Sequence, residues 1–165
     1  MTWPEPVERV AAYLREAGAE ARLEEFAEGT PTARAAARAV GAEPAQIVKS
    51  LVFVSGGRYV LALVPGDRRA DPRKVAAAAG GGSARIASPD ELLEATGFPA
   101  GGVAPFPLPR VEAVFLDQTL LAHEVVWIGA GSEHHLASIA PGDLARLTRA
   151  RTIDAVERLD EAPPG

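Results

Sequence analysis

The sequence contains no cysteine and a single methionine, and its 17 basic residues include only two lysines, Lys49 and Lys74. Without cysteine the chain has no disulfide, no thiolate nucleophile and no thiolate metal ligand. No apolar run approaches the roughly 20 residues of a membrane-spanning helix. No basic and apolar leader follows Met1, so we expect no secretory signal. These absences favour a cytoplasmic protein that does not contact the membrane.

The length of 165 residues and the net charge of −5 limit the kinds of protein that this chain can be. The length is typical of one domain, which we place over residues 1–165. The negative charge argues against a protein that binds nucleic acid with its whole surface, so any such contact has to be local. Two basic groups could provide it, one at Arg68, Arg69, Arg73 and Lys74 and one at Arg146, Arg149 and Arg151. For either group alone, a solvated surface is the favoured reading.

Residues 46–64, QIVKSLVFVSGGRYVLALV, read as two apolar strands joined by a glycine-rich turn, which predicts a β-hairpin. Lys49 is the one charged residue inside the first strand, where it shares a face with Leu51 and Phe53. Both faces are mostly apolar, so we expect this strand to be covered on both sides. An ammonium there is costly unless its head reaches water, is paired or lines a cavity that receives an anion. The sequence alone does not decide among these three possibilities for Lys49.

The segment 98–109, FPAGGVAPFPLP, cannot form regular structure because it contains four prolines and two glycines. Glycines allow a ligand to approach main-chain N–H groups, while prolines keep the loop stiff. Such a loop suits a site that presents backbone amides to a developing oxyanion. A rigid surface connection is the simpler reading of the same composition.

The rest of the chain mixes helical and extended patterns without repeats or linkers. Many strands follow short turns, and helices interrupt them irregularly, which favours a mixed sheet over a doubly wound parallel one. We predict an α+β fold, a single domain with a mixed, mainly antiparallel, curved or partly barrel-like sheet flanked by helices. Apolar spacing and capping residues place helices at 4–17, 30–41, 71–79, 88–97 and 141–150, and strands at 20–26, 84–87, 111–116, 125–130, 134–140 and 152–156.

The three histidines, His123, His134 and His135, offer little for a metal site. In a strand, His134 and His135 point to opposite faces, so at most one of them could join His123. The spacing of the usual zinc motifs is missing as well, and we expect no metal and no cofactor. One histidine that binds substrate or orders water is the favoured reading, and a metal-dependent hydrolase is the weaker alternative.

Four short segments of the sequence together resemble one known protein family. Residues 46–53, QIVKSLVF, resemble the signature strand of the YbaK/ProX family of aminoacyl-tRNA deacylases, which are relatives of the editing domain inserted in bacterial prolyl-tRNA synthetases. Residues 101–105, GGVAP, resemble the G-x-x-x-P loop of that family. The order of 129–132, GAGS, and 139–144, IAPGDL, is similar to its C-terminal half. The resemblance covers about residues 20–157.

The resemblance implies hydrolysis of the ester that joins a wrong amino acid to the 3′ adenosine of a tRNA, most often tRNA(Pro). It implies no metal and no covalent nucleophile. Lys49 would hold the terminal nucleotide near its phosphate and ribose, and the amides of residues 101–104 would receive the oxyanion. Water would attack with help from a substrate hydroxyl. The predicted catalytic residues are therefore Lys49, Gly101, Gly102, Val103 and Ala104.

The resemblance also implies an amino-acid pocket at residues 129–132 and His134, whose size decides which amino acid is accepted. Many members carry serine where Gly129 stands and aspartate where Leu136 stands, so the identity of the misattached amino acid is left open. The predicted substrate-binding residues are Thr30, Leu51, Pro105, Gly129, Ala130, Gly131, Ser132 and His134.

A free-standing chain of this kind resembles a trans-editing factor, whose partners would be the 3′ CCA end of a misacylated tRNA and possibly prolyl-tRNA synthetase. The alternative from a different class is a non-catalytic module. It would bind the tRNA CCA end or an aminoacyl-adenylate-like ligand, or dock on a synthetase, without turnover.

Overall fold

The computed structural model describes residues 3–159. Met1, from which the expectation of no secretory signal starts, lies outside this range. Helices occupy the five predicted regions. They are α1 (Glu5–Glu16), α2 (Ala33–Val40), α3 (Pro72–Ala78), α4 (Pro89–Thr96) and α5 (Pro141–Thr148). The strands are β1 (Arg22–Glu25), β2 (Val48–Ser55), β3 (Arg58–Pro65), β4 (Arg85–Ile86), β5 (Ala113–Asp117), β6 (Val126–Gly129), β7 (His135–Ile139) and β8 (Arg151–Ile153).

These strands form two sheets, which confirm the predicted α+β class with mixed, mainly antiparallel pairing. One sheet has the order β1-β7-β6 and is antiparallel throughout. The other has the order β4-β2-β3-β5-β8, in which β5 pairs in parallel with both of its neighbours. A parallel bridge between Ile47 and Trp127 connects the two sheets just before β2. The sheets do not close into a barrel.

Side-chain caps start three of the five helices, α2, α3 and α4, at or near the predicted positions. Asp71 accepts a hydrogen bond from the amide of Arg73, and Ser88 forms a reciprocal capping box with Glu91. The prediction was wrong by two residues at α2, because Thr32 rather than Thr30 accepts the hydrogen bond from the amide of Ala35. Thr30 therefore does not cap α2, and its hydroxyl donates a hydrogen bond to the carbonyl of Glu133 instead.

The prediction that β2 is covered on both faces holds for only half of the strand. Val52 packs in the larger core beneath α1, and Phe53 packs in a second cluster beneath α3. The segment from Lys49 to Leu51 is only half-buried. This part of β2 has no β4 beside it, because β4 pairs only with Phe53 and its neighbour Val54. It therefore borders open space.

A buried carboxylate explains why the predicted turn after β5 is a short 3-10 helix, Gln118–Ala122. Asp117 is fully buried and accepts hydrogen bonds from the amide and the hydroxyl of Thr119 at the start of that helix. Its other oxygen accepts a hydrogen bond of 2.8 Å from the amide of Ala155, after β8. Local apolar spacing does not reveal such a long-range polar contact.

Within residues 3–159, no helix is both long and apolar enough to cross a membrane.

Glu91 is expected to stabilise the fold in a way that depends on pH. Its carboxylate accepts hydrogen bonds of 2.7 and 2.9 Å from Arg85 and one of 2.9 Å from the amide of Ser88, and these contacts lower the pKa of Glu91 from 4.5 to about 2. Because the folded-state pKa is depressed, the stabilisation is fully present above about pH 4.5 and is lost as the pH falls through about 2.

We therefore expect Glu91→Gln to lower the melting temperature more at pH 7 than at pH 2, measured by circular dichroism. Glu20→Gln, which removes an exposed carboxylate before β1, is the matched control and should show no such difference. An equal loss at both pH values for Glu91→Gln would contradict the assignment.

Candidate functional site

The half-buried part of β2 borders a cavity of about 320 Å³. The start of α2 and the segment before it form one wall, and the glycine–proline loop forms another. Most of the lining is apolar, and Lys49 is its one charged residue. The cavity brings together six of the predicted site residues: Thr30, Lys49, Leu51, Gly101, Val103 and Gly129.

Lys49 lies at the end of the hairpin that is opposite the glycine turn, where it pairs with Val64. Its Nζ donates a hydrogen bond of 2.5 Å to the carbonyl of Arg68, in the turn that follows β3. Burial lowers the pKa of Lys49, the nearby carboxylate of Asp67 opposes this effect, and the charge of Arg69 adds to it. An anionic ligand would stabilise the charged form of this ammonium, because the ligand replaces the contact with water that burial removes.

The glycine–proline loop leaves several backbone donors unused. The amide of Gly102 donates a hydrogen bond of 3.0 Å to the carbonyl of Pro99. In contrast, the amides of Gly101, Val103 and Ala104 donate no hydrogen bond to any residue of the range 3–159. Gly101 and Val103 line the cavity. The loop can therefore offer free N–H donors beside the cavity that contains Lys49.

The loop is held in place by close contact with the end of β6 and the residues after it. A Cβ added to Gly129 would lie 2.4 Å from the carbonyl oxygen of Val103, and one added to Gly102 would lie 2.6 Å from the Cα of Ser132. The amide of Gly131 also donates a hydrogen bond of 2.9 Å to the carbonyl of Gly102. Only glycine permits this approach of two backbones, which fixes the loop against the sheet.

The remaining predicted site residues lie around the cavity without lining it. Ala104 and Ala130 are fully buried in the larger core, and Pro105 lines a separate cavity on the other side of the loop. The hydroxyl of Ser132 contacts Nδ1 of His135 at 2.6 Å. Ala104 and Ala130 directly follow the lining residues Val103 and Gly129 in the chain, so they adjoin the cavity without facing it.

His134 was expected in the amino-acid pocket, but its ring lies outside the cavity. Its Nδ1 is 3.0 Å from the carbonyl of Phe26, while the ring of the neighbouring His135 is buried. The predicted strand began one residue too early here, because β7 starts at His135 and His134 lies in the turn before it. No group of three or more potential metal ligands occurs among the described residues.

Comparisons with known proteins agree with this geometry. Residues 27–147 match the family model of the aminoacyl-tRNA editing domain. The chain belongs to this family. A solved structure of a proposed trans-editing enzyme for prolyl tRNA synthetase has a TM-score of 0.88 and 38% identity to the editing domain described here, covering 95% of this chain and 100% of that one.

Two curated relatives are similar to this chain over three quarters of its length. The uncharacterized protein YwhH of Bacillus subtilis strain 168 is 34% identical over 125 residues, which are 75% of this chain and 79% of YwhH. A proline–tRNA ligase of Maridesulfovibrio salexigens is 30% identical over 126 residues, which are 75% of this chain but only 21% of the ligase. The editing domain is thus similar both to a small separate protein and to part of a ligase.

Sequence reasoning missed Ser50, which lines the cavity of this editing domain next to Lys49. Its hydroxyl oxygen is buried and has no hydrogen-bond partner among the described residues. A polar side chain within an apolar strand was the available signal. Leu136, where many relatives were expected to carry aspartate, adds an apolar surface to the same cavity.

Proposed function

We propose that this editing domain hydrolyses the ester bond of a misacylated tRNA(Pro), acting as a separate trans-editing enzyme in the cytoplasm. One observation carries the proposal: a single cavity contains both Lys49 and the loop with the unused amides of Gly101 and Val103. An aminoacyl ester on a 3′ nucleotide presents a phosphate and a carbonyl, and these two groups need a cation and N–H donors.

In this mechanism Lys49 exchanges its contact with the carbonyl of Arg68 for the phosphate and ribose of the terminal nucleotide. The amides of Gly101 and Val103 bind the oxyanion that forms when water attacks the ester carbonyl. Gly102 maintains the loop through its contact with Ser132. A hydroxyl of the substrate assists the water, and the chain supplies neither a metal nor a covalent nucleophile.

The amino-acid side chain is proposed to occupy the apolar part of the cavity. Thr30, Leu51, Gly129 and Leu136 line this region. A volume of about 320 Å³ has to contain both the amino acid and the ribose, which favours a small amino acid such as alanine or cysteine over a large one.

We expect the purified protein to deacylate tRNA(Pro) charged with alanine, cysteine or serine, and to do so in the presence of EDTA. Correctly charged Pro-tRNA(Pro) should survive under the same conditions. Release of labelled amino acid, measured at catalytic enzyme concentration, checks this result.

Two outcomes would contradict the proposal. If all mischarged tRNAs persist and single-turnover experiments show that the protein protects the ester, the chain is a binding module for the CCA end. If EDTA abolishes the activity and added zinc restores it, the mechanism without metal is wrong.

A further inference from the structure

The carboxylate of Glu133 lies close to two segments that border the cavity, the one before α2 and the glycine–proline loop. A Cβ added to Gly29 would lie 3.5 Å from Cδ and Oε1 of Glu133, and one added to Gly101 would lie 3.8 Å from its Oε2. Gly101 lines the cavity, as does Thr30, the residue after Gly29. Glu133 therefore places a negative charge beside the cavity without filling it.

The backbone around Glu133 is fixed to the same wall. Its carbonyl accepts a hydrogen bond of 2.7 Å from the amide of Thr30 and one of 3.0 Å from the hydroxyl of Thr30. The preceding residue, Ser132, packs against Gly102 of the glycine–proline loop. The backbone at Glu133 is consequently fixed to both of these segments.

The carboxylate itself is available for a ligand. Its recorded ionisable neighbour is Nε2 of His134 at 3.8 Å, which exceeds hydrogen-bond distance, and 53% of its side chain is exposed. Among residues 3–159, no group donates a hydrogen bond to this carboxylate. A half-exposed acid with no donor beside a largely apolar cavity can accept hydrogen bonds from a bound cation.

The charges of Lys49 and Glu133 are carried by different walls. Lys49 lies on β2, and the charges that act on it belong to Asp67 and Arg69 of the turn after β3. Glu133 lies beside Gly101 and is hydrogen-bonded through its carbonyl to Thr30, and both of these residues line the cavity that contains Lys49. The aminoacylated end of a tRNA has a matching arrangement, with a phosphate on the nucleotide and a protonated α-amine on the amino acid.

We propose that Glu133 is a specificity residue that binds the α-ammonium group of the aminoacyl ester. This inference rests on the proposed function, because it assigns the orientation of that substrate in the cavity. The carboxylate distinguishes an ester with a free α-amine from one whose amine is acylated. The interaction exists both in the bound substrate and in the transition state, so it contributes to binding rather than to the chemical step.

The test compares Ala-tRNA(Pro) with N-acetyl-Ala-tRNA(Pro), in which the amine is a neutral amide. We expect Glu133→Gln to raise KM for Ala-tRNA(Pro) about tenfold with kcat unchanged, as for the loss of a charge-assisted hydrogen bond. The same variant should leave hydrolysis of the acetylated substrate unchanged. Glu133→Asp retains the charge and should recover part of the loss. Glu124→Gln, at an exposed position before β6, is the matched control.

A second measurement separates this inference from the proposed function. Binding of 3′-alanylamino-3′-deoxyadenosine, a stable amide analogue, is compared with binding of its N-acetyl derivative. If wild-type protein hydrolyses neither tRNA, the proposed function fails, but tighter binding of the free amine that depends on Glu133 still supports the ammonium site. If Glu133→Gln affects both forms equally, or neither, the inference is overturned.

Discussion

Lys49→Ala is expected to reduce deacylation of mischarged tRNA(Pro) by about 100-fold, the effect of losing hydrogen bonds between a charged donor and an anionic ligand. Lys49 is the one charged residue that lines the cavity, and among residues 3–159 its ammonium has a single acceptor, the carbonyl of Arg68. An alanine leaves the terminal nucleotide without a cation. Single-turnover kinetics at sub-saturating enzyme measure this effect, because they report binding of the nucleotide together with the chemical step.

The chain provides a close control for this experiment in Lys74, its other lysine. Lys74 on α3 is engaged with the carboxylate of Asp154 at 2.8 Å and the carbonyl of Val156 at 2.7 Å, away from the cavity lining. Lys74→Ala should retain activity. Lys49→Arg should stay impaired, because the planar guanidinium is larger than the ammonium and binds with a different geometry. Full activity of Lys49→Ala would remove the basis of the proposed mechanism.

Gly129→Ala is expected to lower activity by about 100-fold, because displacing oxyanion donors typically costs that much in kcat. The added Cβ would lie 2.4 Å from the carbonyl oxygen of Val103, a contact that only a shift of the loop can relieve. The free amides of Gly101 and Val103 would move with it. The fold itself should lose about 1–3 kcal/mol of unfolding free energy, typical of overpacking.

Gly142→Ala on α5 is the matched control, since a Cβ at Gly142 would meet no atom within 4 Å. Its activity and its unfolding midpoint in urea should equal or exceed those of the wild type, because alanine favours the helix. Wild-type activity of Gly129→Ala would show that the loop geometry does not control the reaction.

Much of the local structure could be predicted because its causes lie within a few residues. The alternation along 46–64 specifies the hairpin, and capping residues such as Asp71 and Ser88 mark helix starts. The shift of the α2 cap from Thr30 to Thr32 shows the limit of this reasoning. Thr30 is held by the backbone of Glu133, which is 103 residues away.

Only those residues of the candidate site that belong to a recognisable motif could be predicted from the sequence. Lys49 and the loop at Gly101 were recognisable as a pair, and the structure places them at one cavity. Their catalytic roles stay predictions. Ser50 was not identified as part of the site, Glu133 was not assigned a role, and His134 was assigned to a pocket that its ring does not line.

The amino-acid sequence by itself determined the α+β class, the central hairpin, the stiff glycine–proline loop and the family. These properties depend on side-chain alternation, on capping and on backbone freedom, each set by neighbours along the chain. Only the tertiary structure decided which groups face the cavity. That choice depends on how closely the backbones around Gly102 and Gly129 approach distant segments, and such packing is a property of the whole fold.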